Sequence, residues 1–140
     1  MPKQQRAWVY SPPKPAKPPV SESVKAEVTK LADALVDAVL KPKYIQPPPA
    51  PHEFQHNYLT DIFTKWYRGC FYFCSVYACP GPNALSPSFE AKFARMEYLG
   101  KPSRFNLSFM RHTGEWVELY NNLTLDACMK AVSKEMWFHP

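Results

Sequence analysis

Eleven of the sixteen prolines of this chain fall within residues 1–51, and the other five are spread over the remaining 89 residues. Proline removes a backbone donor and fixes φ, so dense proline rules out helix interiors and central strands. The leading third is therefore predicted to be extended, with one helix at most between its proline clusters. Residues after 53 are rich in aromatic and β-branched side chains and carry the folding signal.

Residues 1–20 read as a polyproline-type arm, since Pro12-Pro13-Lys14-Pro15-Ala16-Lys17-Pro18-Pro19 favours an extended left-handed helix with a solvated backbone. A helix follows over 21–41. Ser21 or Ser23 caps it, Glu22 suits the positive end of its dipole, and Val24, Val28, Leu31, Leu35 and Val39 form one apolar stripe. Lys41-Pro42 is predicted to end it. Residues 42–53, with Pro47-Pro48-Pro49 and Pro51, form a second extended linker.

From Tyr58 the period becomes two. Tyr58, Thr60, Ile62, Thr64 and Trp66 take one strand face and Leu59, Asp61, Phe63, Lys65 and Tyr67 the other. Positions 58, 62 and 66 also suit a helix. The composition and the Arg68-Gly69 turn favour a strand. Cys70 to Cys79 is apolar on both faces, as a central strand would be. The proline-rich loop 80–87 cannot continue it. Beyond the loop, the apolar role passes from Phe89, Ala91 and Phe93 to Ala94, Met96 and Tyr98. That change of phase predicts a β-bulge near Phe93 or Ala94. Phe105, Leu107 and Phe109 alternate cleanly, Thr113-Gly114 turns the chain into Trp116 to Tyr120, and Thr124 caps a last helix with Leu125, Cys128, Met129 and Val132 inward. The predicted architecture is α+β: a helix, an antiparallel meander of four to five strands, and a C-terminal helix, with residues 54–140 and 21–41 in one domain.

Charge narrows the function classes. Lys3, Arg6, Lys14 and Lys17 give the arm +4, whereas residues 21–140 hold 13 basic and 12 acidic residues. The basic character thus belongs to the arm. The chain contains no run of 18 apolar residues and no apolar leader, so neither a membrane span nor secretion is expected, and the four cysteines are read as reduced thiols of a cytoplasmic protein.

Four chemistries bear on these residues. A metal centre is disfavoured: on a strand, Cys70 and Cys74 stand about 13 Å apart, too far for two ligands of one ion. A nucleophilic site would need Cys79 with His112 or His56 as base, and nothing in the sequence brings them together. No catalytic residue, metal or cofactor is therefore assigned. An antiparallel sheet carrying aromatics with Lys92, Arg95, Arg104 and Arg111 is a candidate face for RNA or single-stranded DNA, aided by the basic tail. The arm offers a PxxP segment and two anchor-type aromatics, which marks Trp8, Tyr10, Lys14 and Lys17 as candidate contacts to a larger protein complex. The expected function is a non-enzymatic interaction or assembly module that docks through the arm, with nucleic-acid binding as the alternative.

The stretch from Cys79 onward (CPGPNALSPSFEAKFARMEYLG, RFNLSFMRHTGEWVELYNNLTLDAC and EMWFHP) resembles a small family of uncharacterised proteins of cyanobacteria and related bacteria. The likeness covers residues 56–140 and the helix before them. It implies a bacterial cytoplasmic setting and a compact domain, and it carries over no catalytic residue.

Overall fold

The computed structural model of the protein describes residues 18–48, 56–100 and 102–140. The arm contacts expected at Trp8, Tyr10, Lys14 and Lys17, and the second half of the predicted linker, lie outside the described residues.

The chain forms a helical segment, five antiparallel strands and a C-terminal helix, the predicted α+β fold. Helix α1 (Glu22–Leu35) starts where Ser21 Oγ accepts the Val24 backbone N–H at 3.2 Å. It does not stop at Lys41-Pro42 as the sequence predicts. A π-helical segment (Val36–Leu40) leads into a last turn, α2 (Lys41–Tyr44), which contains Pro42. Proline is tolerated there because the wider π turn re-routes the ladder, with the Lys41 N–H bonding the Val36 carbonyl. The chain turns extended at Ile45.

The buried stripe also differs in part from the expected one. Val28, Ala32, Val36 and Leu40 are buried, while Leu31 and Val39, expected in the apolar stripe, are 38% and 37% exposed. Steps of four overshoot a turn of 3.6 residues, and a wider turn takes up the excess. Val36 and Leu40 thereby stay above the sheet.

The strands β1 (Tyr58–Tyr67), β2 (Cys70–Ala78), β3 (Ser88–Tyr98), β4 (Phe105–Met110) and β5 (Trp116–Leu123) pair in sequence order as a simple meander. The β1–β2 connection is a two-residue turn in which both Arg68 and Gly69 have positive φ, 49° and 78°, as a hairpin of the primed type requires. The predicted bulge is present. Phe73 faces Ala94 and Cys74 faces Lys92, which leaves Phe93 as the additional residue. A second irregularity between Leu59 and Asp61 breaks the expected alternation of β1, so Thr60 drops out of the inward series that continues through Ile62.

Helix α3 (Leu125–Lys134) is capped by Thr124, whose Oγ1 accepts the Ala127 N–H at 3.1 Å. Helices α1 and α3 pack side by side over one sheet face. The core between the layers contains Phe71, Phe73, Met96, Phe105 and Leu107 from the sheet and Val28, Leu40, Cys128 and Val132 from the helices. Polar ties fix the helical segment over β1. Trp66 Nε1 donates to Thr29 Oγ1 at 3.2 Å, Thr64 Oγ1 donates to Asp33 Oδ1 at 2.6 Å, and Lys41 Nζ lies 3.2 Å from Asp61 Oδ1.

Candidate functional site

Because both helices lie on one side, the other face of the sheet is open. Its composition follows from register. Lys65, Tyr72, Arg95, Ser108 and Glu118 stand opposite one another across the five strands, and Phe63, Cys74 and Lys92 form the neighbouring row. The contiguous run of Cys70 to Cys79 thus divides into a helix-facing series, Phe71 and Phe73, and an open-face series that includes Tyr72 and Cys74.

Cations and rings interleave on this face. Lys92 Nζ lies 5.4 Å from the Tyr72 ring centre and Arg95 Cζ lies 4.9 Å from that of Trp116. The Tyr72 and Trp116 rings meet at 5.9 Å in a tilted arrangement. Each cation–ring contact is worth about 0.5–1 kcal/mol when exposed, enough to bias side-chain positions. Arg95 Nε is buried and donates to no acceptor among the described residues.

Beside this cluster is a cleft of about 300 Å³, lined by Lys65, Cys74, Glu90, Lys92, Met110 and Trp116. Cys74 is buried at its base although it belongs to the open face, because long side chains around it cover it. Burial pushes its thiol above the ordinary range, against the opposing pull of Lys65 and Lys92. The thiol is therefore neutral at physiological pH and a poor nucleophile.

Of the four cations assigned from sequence to a nucleic-acid face, two come together. Lys92 and Arg95 are on the open face. Arg104 lies in the β3–β4 connection, where its carbonyl accepts the Leu99 N–H, and Arg111 lies at the β4–β5 turn with its guanidinium 4.0 Å from Glu115. Lys65, which sequence reasoning left out of the set, takes their place. The signal for it was the alternation Phe63, Lys65, Tyr67, which puts Lys65 opposite Tyr72 once the hairpin register is known. His112 is exposed in the β4–β5 turn. The cleft beside Cys79 is lined instead by Asn57, Ala84, Leu85, Ser86 and Phe89 and offers no base. Among the described residues no group of three or more His, Cys, Asp or Glu could hold a metal ion, and no helix is long and apolar enough to cross a membrane.

A family model described as Domain of unknown function (DUF3024) matches residues 20–140. The chain belongs to this family. The DUF3024 match begins at Val20, which packs against the core, and takes in the helices and the whole sheet. The open-face cluster is thus part of the DUF3024 domain, and residues 1–19 precede it. No curated protein and no solved structure matches the chain.

Proposed function

We propose that this protein is a non-enzymatic interaction module of the bacterial cytoplasm, in which residues 1–20 dock on a larger protein complex and the DUF3024 domain anchors them. Trp8 and Tyr10 insert as aromatic anchors, and Lys14 and Lys17 meet acidic groups of the partner. The observation that supports this reading is the way the arm joins the domain. Pro18 packs against Gly100, 3.6 Å from where a Cβ would stand there, and Val20 packs on the core. Pro18, Pro19 and Val20 also line a groove beside the Arg68-Gly69 turn. A proline-rich segment loses little entropy on binding, so a leading sequence of this composition on a fixed base suits capture of a partner. In a pull-down, a partner retained by the full chain is expected to be lost with a chain lacking residues 1–17 and with Trp8→Ala/Tyr10→Ala. Equal capture by all three overturns the reading.

The cation–ring ladder of Lys92, Tyr72, Arg95 and Trp116 favours a second reading, binding of RNA or single-stranded DNA on the open sheet face with help from the basic arm. Stacking surfaces beside cations are the usual equipment of such faces. Phosphate contacts make affinity fall steeply with salt, so binding indifferent to salt excludes it.

A further inference from the structure

We propose that the cleft between Lys65, Lys92 and Trp116 holds one nucleotide of a single strand, its phosphate between the two ammonium groups and its base against the indole. This rests on the second reading above and assigns it a specific pocket. The two lysines reach the cleft from β1 and β3, on either side of Cys74 in β2. Ion pairs among the described residues engage Lys25, Lys41 and Arg111, and neither Lys65 nor Lys92 takes part in one. Their charge is available to a ligand. The small, neutral side chain of Cys74 leaves room between them and adds no competing charge.

The balance of charge suits a phosphodiester. Two lysines and Glu90 line the cleft, so its formal charge is +1. A phosphodiester carries one negative charge and matches this net charge. The Glu90 carboxylate is also an acceptor for a base amino group. A volume of about 300 Å³ is at the lower end of ligand pockets, room for one nucleotide and no more. Trp116 is already positioned by Arg95 at 4.9 Å and Tyr72 at 5.9 Å, so its ring needs little ordering to receive a base. The Arg95 Nε–H, a donor with no acceptor among the described residues, stands beside this stack.

The test is fluorescence anisotropy of the full chain with labelled twelve-residue oligouridylate and oligothymidylate over a KCl series, with uridine monophosphate as competitor. Lys65→Ala/Lys92→Ala is expected to weaken binding at least tenfold and to flatten the log–log salt slope by about 0.7, the share of the one phosphate the two lysines hold. Trp116→Ala is expected to weaken binding about five- to a hundredfold and leave the slope unchanged, while Trp116→Phe retains most of the affinity. Circular dichroism of each variant separates lost binding from lost folding. Strand binding that survives all these changes in folded variants overturns the pocket and leaves the open-face reading standing on other residues. Failure of the unaltered chain to bind either strand in 50 mM KCl overturns both. Uridine monophosphate binding as tightly as the twelve-residue strands also overturns the pocket, because it marks a small-molecule site.

Discussion

The thiol of Cys128 lies on the inner side of α3, fully buried, and burial pushes its pKa from the ordinary 9.0 up to about 12. Below pH 9 the thiol is protonated in folded and unfolded chains alike. Above it the unfolded chain releases the proton and the folded chain keeps it, so stability falls with rising pH until the native thiol ionises near 12. At 1.36 kcal/mol per pH unit, Cys128 is expected to remove about 2 kcal/mol by pH 10.5 relative to pH 8. Urea unfolding at the two pH values measures the difference, and Cys128→Ala should lose that share of it. The shifts at Cys74 and Tyr77 run in the same direction from the same cause, desolvation of the charged form. An unchanged pH response in Cys128→Ala would show that this side chain is not enclosed.

At the scale of elements, local chemistry sets the turns and caps, and their energies are open to single substitutions. Gly69 adopts φ +78°, and a Cβ built on it meets nothing within 4 Å. A methyl group there encounters open space, so any loss of stability comes from the backbone conformation alone. Gly69→Ala is expected to destabilise by about 1–2 kcal/mol, read as a lower urea midpoint at unchanged slope. No loss would mean that the hairpin relaxes into another turn type. The π-helical segment is the element for which sequence periodicity was least informative. The stripe Val24, Val28, Leu31, Leu35, Val39 is the one an unbroken α-helix would bury, and Pro42 is where such a helix would end. Val28 is buried and Val24 and Leu35 pack on the core as expected, but Ala32, Val36 and Leu40 are buried in place of Leu31 and Val39, and the wider turn keeps Val36 and Leu40 on that face and accommodates the proline. Local propensity carries no marker for that turn, which is held by packing of the helix on β1.

For the whole molecule, the C-terminal tail joins parts of the chain that are distant in sequence. Phe138 is fully buried, the Tyr77 hydroxyl donates to the Pro140 carbonyl, the Tyr44 and His139 rings meet at 4.9 Å, and Trp137 lies 5.1 Å from Phe109. These contacts tie α2, β2 and β4 to one short segment. Removing residues 136–140 opens a cavity the size of a phenyl ring and is expected to destabilise by at least about 3 kcal/mol, a fall of roughly 10 °C or more in Tm. A melting curve identical to that of the full chain would remove the tail from the core.

Residue order was sufficient for whatever depends on near neighbours. Ser21 and Thr124 start the helices, Arg68-Gly69 makes the hairpin, and the change of apolar phase at Phe93 and Ala94 places the bulge. Each is a consequence of backbone geometry within a few residues. The open face was not accessible in that way. Lys65, Tyr72, Lys92 and Trp116 lie on four strands, and they become neighbours through register and through the choice of which face the helices cover. Both are set by burial of apolar area over the whole domain, a quantity that no single stretch of the chain contains.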